Sequence, residues 1–300
     1  MHLTRLSVQG FRSLKDITWE PGKLNVVIGS NGSGKSNILR VLDMLCDSTQ
    51  GHLSNYVKGE GGGIAILWDG VQQDLKVDIH ASSDFNDEFI DPFQDLSDYR
   101  YYLALSQNPF HQNSNNFYIK DEILSTNESV LIDYKIKTPE LFEIYKNKIS
   151  PFDLSETYLY SEKLSNSNYD VFILKNFIAS VSLFMNFDIS KNSPLRSPVL
   201  TEYEKKPSKN GENIINVLHT LYSENRDFKK IVNDSMMAAF GDDFDELVFP
   251  PASDQRVQMR IRWKSLKREQ SAADLSDGTL RFLFLLAVLA NPEPAPLIAI

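Results

Sequence analysis

Eight consecutive residues, 29–36, constrain this chain more than any other part of its sequence. They read Gly-Ser-Asn-Gly-Ser-Gly-Lys-Ser, which fits the pattern of a glycine, four residues, and then Gly-Lys-Ser that is typical of phosphate-binding loops. The preceding run 24–28 is apolar and rich in β-branched residues, which predicts a buried strand. The residues after the loop predict a helix, because apolar side chains recur at helical spacing at Ile38, Val41, Leu42 and Leu45.

Strand, glycine loop and helix in this order form the context that the motif requires. Glycines let the loop curl so that its N–H groups point inward, and the following helix directs its positive end to the same point. Lys35 would reach the β- and γ-phosphates, and the Ser36 hydroxyl would ligate Mg²⁺. The alternative is a Gly/Ser turn that binds nothing, which the complete motif in this context disfavours. The residues predicted to bind nucleotide here are Gly29, Ser30, Asn31, Gly32, Ser33, Gly34, Lys35, Ser36 and Asn37.

A second informative segment lies near the other end of the chain. Residues 275–281 precede an apolar helix predicted over 282–290, and the apolar run 297–300 predicts another buried parallel strand. Ser276 and Gly278 lie where a hydroxyl, backbone N–H groups and the helix dipole converge, which predicts an anion site. The alternative is that Ser276 only caps the helix, since Ser is a favoured N-cap residue.

These segments together resemble the P-loop ATPases of the ABC, SMC and RecF group. The resemblance is closest to the small bacterial AAA family ATPases, which are RecF-like and lack coiled-coil arms. Residues 3–14 are similar to the family's first strand and its Phe-Arg-Ser turn, and 275–279 are similar to its signature. The signature departs from the usual form, with Asp277 in place of a Gly and Thr279 in place of a Gln, as is typical of the RecF-like subgroup.

The resemblance implies an α/β fold, namely a P-loop NTPase of the ABC/SMC-like ATPase-head type with an antiparallel β subdomain and an inserted α+β lobe. It covers both ends of the chain well and the middle weakly. We predict an N-terminal ATPase lobe with the phosphate loop at 1–80, an inserted lobe rich in Asn, Ser and aromatic residues at 81–207, and a C-terminal ATPase lobe with the signature at 208–300. The last of these would end at the strand that precedes the catalytic acids.

The same resemblance implies an ATPase that uses ATP and Mg²⁺ and forms an ATP-dependent homodimer in a DNA-repair-type or defence-type process. Arg12 of the Phe-Arg-Ser turn joins the nucleotide-binding residues, and Lys35 is also catalytic. A second copy's γ-phosphate would be contacted in trans by the signature residues Ser276, Asp277, Gly278 and Thr279. The family's acidic pair would fall just past Ile300, so we expect a truncated chain with impaired hydrolysis.

Two other functions compete with this one. The first is a nucleotide-gated binding module that hydrolyses little ATP and acts through a partner such as a nuclease or a DNA end. The second is the nucleotide-binding subunit of a transporter, which ranks last because it predicts a Leu-Ser-Gly-Gly-Gln signature and membrane-coupling partners.

Composition narrows the partners. The net charge of −9 argues against a DNA-coating surface, although 256–268 carries basic residues along a predicted strand, either as a solvated face or as a nucleic-acid site. No apolar stretch reaches 18 residues and the N-terminus lacks a signal core, so we expect no membrane segment. The single cysteine, Cys46, fits a reducing cytoplasm and a core position.

Local patterns predict two pairs of strands and two helices. Residues 2–9 and 16–19 read as an antiparallel pair, and 64–68 with 71–80 as a hairpin across Asp69-Gly70. Residues 211–222 and 227–240 read as helices. The second of these has an apolar face of Phe228, Ile231, Val232, Met236 and Ala239.

Overall fold

A computed structural model describes residues 1–68, 74–83, 98–107, 117–135, 155–185 and 187–300. These residues form two compact units, Met1–Val181 and Ser182–Ile300. The predicted division into 1–80, 81–207 and 208–300 stays a prediction, because the units group residues by contact and not by function.

The first unit is built on a six-stranded antiparallel sheet with the order β2-β1-β3-β4-β5-β6. Its strands are β1 His2–Phe11, β2 Leu14–Trp19, β3 Asp74–Ser82, β4 Asp98–Gln107, β5 Phe117–Thr126 and β6 Val130–Lys135. The pair β1–β2 confirms the predicted antiparallel pair, with Val8 opposite Ile17. Strict alternation along β3 buries one face of the sheet through Leu75, Val77, Ile79 and Ala81. Strands β4 to β6 come from the segment predicted as an inserted lobe and extend the same sheet.

The first unit contains five helices among the described residues, the first of which follows the phosphate loop directly. They are α1 Lys35–Ser48, α2 Leu53–Gly59, α3 Gly63–Ile66, α4 Glu162–Ser167 and α5 Tyr169–Ala179, with a 3₁₀ turn at Tyr158–Tyr160. The predicted helix after the loop is confirmed by α1, which buries Val41, Leu42 and Leu45. Cys46 is a core residue as predicted, and its thiol lies 3.2 Å from the Ile178 carbonyl oxygen.

The strand predicted at 24–28 is wrong in this structure. The segment has no strand assignment, and Leu24 and Ile28 are 87% and 89% exposed. No strand of the described residues pairs with it, and an extended segment without a neighbour leaves its backbone N–H and C=O groups to water. Apolar composition alone therefore does not produce burial at this position.

The hairpin predicted across Asp69-Gly70 is also wrong. Residues 63–66 form the short helix α3, and β3 pairs with β1 and β4 instead of with 64–68. Leu67 bridges Phe11, so the segment reaches the end of β1 without forming a strand. The Asp69-Gly70 turn itself lies outside the described residues.

The second unit packs three helices against short strands. The helices are α6 Ile214–Glu224, α7 Arg226–Phe240 and α8 Asp277–Leu289, with 3₁₀ turns at Pro194–Arg196 and Ala272–Asp274. The strands are β7 Ser182–Leu183, β8 Val199–Leu200, β9 Phe244–Val248, β10 Pro251–Ala252, β11 Arg256–Val257, β12 Arg260–Trp263, β13 Gln270–Ser271 and β14 Ile298–Ala299. They pair antiparallel as β10-β11-β8 and β13-β12-β9, while β14 runs parallel to β7.

All three predicted helices of this unit are confirmed, with differences in detail. Phe228, Val232 and Met236 of α7 are buried, but Ile231 is 47% exposed and Ala239 is exposed, so the apolar face is narrower than predicted. The predicted parallel strand at the end of the chain is β14, whose two residues are half-buried and not buried.

Candidate nucleotide-binding site

The phosphate loop ends at Gly34, and α1 begins at the next residue. Gly34 has φ 98°, in the left-handed region that side chains disfavour, and its carbonyl accepts from the backbone N–H of Asn37 at 2.9 Å. A Cβ atom at this position would lie 2.8 Å from Ser13 Oγ and 2.8 Å from Leu14 Cδ2. The loop is thus pressed against the turn between β1 and β2, and only glycine fits.

Lys35 folds back over the loop. Its Nζ donates to the carbonyl oxygens of Gly29 at 2.7 Å and Ser30 at 2.8 Å, and lies 3.5 Å from Ser33 Oγ. A Cβ on Gly29 would meet Ser33 Oγ at 2.7 Å, so the loop is tight at this end as well. The ammonium group is held over the curl of the loop, at the N-terminal end of α1.

The turn between β1 and β2 lies beside the first turn of α1, and each carries one further predicted residue, Arg12 and Asn37. Asn37 Nδ2 donates to Ser13 Oγ at 2.8 Å, and this bond ties the first turn of α1 to the turn. Arg12 has φ 47° and forms an ion pair with Glu60, whose carboxylate also lies 3.3 Å from Arg40 of α1. The role of Arg12 in nucleotide binding stays a prediction, and its partner Glu60 was not predicted, since no local pattern links positions 48 residues apart.

The loop residues fit a magnesium nucleotide by their chemistry. Ser30, Asn31, Gly32 and Ser33 are exposed, and so is Ser36, the predicted Mg²⁺ ligand. A triphosphate needs N–H donors and an ammonium, and this loop offers both at a helix N-terminus. In the part of the chain that the structure describes, no group of three or more His, Cys, Asp or Glu side chains could hold a metal ion by itself. A divalent ion at Ser36 would therefore depend on the nucleotide for most of its ligands.

The other end of α1 is anchored by a buried polar cluster. Thr157 Oγ1 donates to the Ser48 carbonyl at 2.8 Å, at the last residue of α1. Glu122 is fully buried and accepts from the N–H of Tyr158 at 2.7 Å, the N–H of Leu159 at 3.0 Å and the Tyr101 hydroxyl at 3.0 Å. Burial raises the pKa of Glu122 to about 7, although the three donors act in the opposite direction. The helix that follows the loop is thus fixed at both ends.

The signature segment forms the N-terminus of α8. Ser276 is the N-cap, and its Oγ accepts from the Thr279 N–H at 3.1 Å and lies 2.9 Å from Thr279 Oγ1. Ser276 therefore acts as the helix N-cap, which is the alternative role predicted for it. The contact of these residues with a second copy's nucleotide stays a prediction.

Asp277 and Gly278 differ in what surrounds them. Asp277 forms an ion pair with Arg196, which lies 81 residues away along the chain and was not predicted. A Cβ on Gly278 would meet only Ser276 Oγ, at an ordinary 3.7 Å, and its φ lies outside the left-handed region. Nothing among the described residues requires glycine at this position.

Neighbouring carboxylates pair with the basic side chains of β12, which belongs to the basic segment 256–268. Arg262 pairs with Glu246 and with Glu269, and Arg260 lies 3.9 Å from Glu269. A phosphate backbone would have to displace these carboxylates, so the solvated-face interpretation of 256–268 is favoured.

Comparison with known proteins gives the family. A family model described as "AAA domain, putative AbiEii toxin, Type IV TA system" matches residues 24–300. The chain belongs to this AAA-domain family. The predicted AAA family ATPase class is thereby confirmed, with an α/β fold that includes the antiparallel sheet of the first unit. None of the helices within the described ranges is long and apolar enough to cross a membrane.

One curated relative shares a short segment. The OLD nuclease of Thermus scotoductus (strain ATCC 700910 / SA-01) is 46% identical over 43 residues, which are 14% of this chain and 8% of the nuclease. The match therefore spans a small part of that relative's length.

Solved structures of two related classes are also similar. An SMC head bound to the C-winged helix domain of ScpA is 17% identical, with a TM-score of 0.45, over 99% of this chain and 79% of the other. The recombination mediator protein RecF with ATP is 13% identical, with a TM-score of 0.35, over 97% of this chain and 81% of the other. At these TM-scores the likenesses do not by themselves establish a shared fold, and the assignment rests on the family match.

Proposed function

We propose that this chain binds Mg·ATP at the loop 29–36 and that bound ATP joins two copies of the chain, the signature segment of each facing the nucleotide of the other. The observation that carries the first part is the position of Lys35, whose Nζ lies on the loop carbonyls of Gly29 and Ser30 at the start of α1. The nucleotide supplies a γ-phosphate that is open to attack by water. Lys35 and the loop N–H groups bind and orient it.

The second part is supported by Gly278. Glycine near the start of a helix costs stability relative to alanine, and the described residues offer no steric reason for it. A ligand that must approach the backbone closely would be such a reason. The exposed N-terminus of α8 would attract an anion, and the phosphates of a second copy's ATP are an anion of the right kind.

We propose that residues 1–300 hydrolyse ATP slowly. This is supported by the surroundings of the loop, where no carboxylate of the described residues is hydrogen-bonded to Lys35 or Ser36. Binding and release of nucleotide, and not rapid turnover, would then be the main function of the site.

A second candidate is a nucleotide-gated module that controls a nuclease. The segment that is 46% identical to the OLD nuclease favours it over other partners. DNA repair and defence are the processes that such a module would serve. A transporter subunit has no comparable support, because the signature keeps Asp277 where transporters carry Gly.

The test of nucleotide binding is Lys35→Ala, with Lys23→Ala as the matched control, since Lys23 is an exposed lysine just before the loop. Isothermal calorimetry with Mg·ATP should show a loss of about 2–4 kcal/mol in binding free energy for Lys35→Ala only. Equal binding by the wild type and Lys35→Ala would refute the loop assignment.

The test of assembly is Ser276→Arg, with Ser167→Arg as a control that adds the same side chain at an exposed serine of α4. Sedimentation velocity with Mg²⁺ and a slowly hydrolysed ATP analogue should show a dimer for the wild type and the control. Ser276→Arg should stay monomeric and still bind ATP. A monomeric wild type, or an equal dimer in all three, would exclude the signature as the trans contact.

A further inference from the structure

We propose that Arg196 is a positioning residue that neutralises Asp277, so that the signature segment can accept a phosphate group. This inference rests on the proposed function, in which a second copy's nucleotide meets the N-terminus of α8. It adds a residue outside the signature on which that contact depends, and it explains how an acidic residue is tolerated at this position.

The guanidinium of Arg196 is buried, with 9% of the side chain exposed, and it binds the backbone just before the signature serine. Nη1 donates to the Leu275 carbonyl at 2.7 Å and to the Ala273 carbonyl at 3.3 Å. Nε donates to the Ser190 carbonyl at 3.1 Å, and Nη2 to the Ile189 carbonyl at 3.2 Å. Every nitrogen of the fork thus has a backbone partner, and Nη2 also meets the Asp277 carboxylate.

The negative charge of Asp277 would repel a phosphate group, and Arg196 offsets that charge. Asp277 lies in the first turn of α8, where an acid stabilises the helix through its dipole. Its side chain is 69% exposed, so its carboxylate faces the solvent from which a nucleotide would arrive. An unpaired carboxylate there would repel the phosphates, because like charges brought together at an interface oppose association.

Arg196 offsets this repulsion without filling the site. The guanidinium approaches Asp277 from the protein interior, and four backbone carbonyls hold it in one orientation. Ser276 already occupies the Thr279 N–H, so an anion would meet the N–H groups of Asp277 and Gly278 and the open space at Gly278. A planar guanidinium suits this task better than an ammonium, since it binds carbonyls and a carboxylate at the same time.

A purely structural role for Arg196 predicts different results from a charge-compensating role. Arg196→Gln removes the charge and keeps a polar side chain, and we expect ATP-dependent dimerisation to weaken at least about tenfold. Adding Asp277→Asn to that variant removes the exposed negative charge, and dimerisation should recover to within about threefold of Asp277→Asn alone. A tether whose only function is to hold the loop would not be restored by a change at Asp277.

The experiment is sedimentation velocity of the wild type, Arg196→Gln, Asp277→Asn and the double variant, with Mg²⁺ and a slowly hydrolysed ATP analogue. Calorimetry on each variant checks that ATP binding at the loop persists. Wild-type dimerisation by Arg196→Gln, or no recovery in the double variant, would overturn the role of Arg196 while leaving the proposed function intact. A wild type that binds ATP and stays monomeric would overturn both.

Arg196→Lys covers the case in which Arg196→Gln does not fold, as judged by thermal melting. Lysine keeps the positive charge and loses the fork, so we expect dimerisation to weaken about threefold. A loss of more than tenfold in a folded Arg196→Lys variant that binds ATP would show that the backbone bonds, and not the charge, are what the signature needs.

Discussion

The phosphate loop and the signature segment both precede a helix, but their glycines are required for different reasons. Gly34 has φ 98°, and a Cβ there would lie 2.8 Å from Leu14 Cδ2. Gly278 has no such neighbour and needs no special backbone angle. The chain's own packing accounts for the first glycine and does not account for the second.

The polar groups of the two segments differ in the same way. Lys35 lies over its own loop and makes bonds that a triphosphate would replace. Ser276 and Asp277 are satisfied by Thr279 and Arg196, which leaves the α8 N-terminus as the unsatisfied feature. Under the proposed function, the loop binds nucleotide by itself, whereas the signature segment binds only the nucleotide that a second copy carries. The four predictions below test this difference, beginning with the largest effect.

The largest expected effect concerns hydrolysis at the loop. If the site has no general base, as proposed, phosphate release from ATP should be about 10²–10⁴-fold slower than base-assisted hydrolysis. In a phosphate-release assay the wild type should turn over ATP slowly, and Lys35→Ala should lower that turnover further, because Lys35 orients the γ-phosphate. Wild-type turnover in the ordinary enzyme range, about 1 s⁻¹ or more, would mean that residues 1–300 supply a general base.

The next effect concerns the fixed far end of α1. The pKa of Glu122 is about 7 in the folded chain and 4.5 in the reference state, so between these values the folded state binds more protons than the unfolded state. The free energy of unfolding should therefore fall as pH rises from 4.5 to 7, by at most about 3 kcal/mol from this group, and level off above that.

Urea denaturation between pH 5 and pH 8 measures this dependence. Glu122→Gln should lose that part of the pH dependence and be less stable, because its amide would face a backbone N–H. Glu128→Gln, at an exposed acid of the same sheet region, is the control and should keep the wild-type slope. If the free energy of unfolding depended on pH equally in both variants, Glu122 would not be the group responsible.

A smaller effect is expected at Gly34. Gly34→Ala forces a side chain into the left-handed region and against Ser13 and Leu14, which should cost about 1–3 kcal/mol in the free energy of unfolding. Chemical denaturation with calorimetry would show lower stability together with weaker ATP binding. Gly22→Ala is the control, since a Cβ there meets nothing within 4 Å. A Gly34→Ala variant as stable as the control would mean that the loop relaxes freely.

The smallest effect, opposite in sign, is expected at Gly278. Gly278→Ala should raise the free energy of unfolding by up to about 0.5–1 kcal/mol, because alanine favours the helix and finds open space. The same variant should weaken ATP-dependent dimerisation in sedimentation velocity. If Gly278→Ala raised both stability and dimerisation, no ligand would approach this backbone closely. Gly278 would then have no functional role to set against the structural role of Gly34.

Local patterns in the sequence determined a large part of this protein. Periodicity, glycine placement and capping residues are local signals, each confined to a few neighbouring positions. They predict the phosphate motif, helix α1, the β1–β2 pair and helices α6, α7 and α8. Ser276 as the N-cap of α8 is such a local feature. Short-range backbone geometry decides these elements, so one sequence suffices to predict them.

Only the tertiary structure decided which distant groups meet. Residues 24–28 have the composition of a buried strand and lie exposed, because burial requires a neighbouring strand and not only apolar side chains. Residues 63–66 form a helix although their composition suits a strand, since β3 pairs with β1 and β4 instead. Glu60 reaches Arg12 across 48 residues, and Arg196 reaches Asp277 across 81. Charge pairs between such remote positions leave no periodic trace in a sequence, because the fold alone brings them within the few ångströms over which they act.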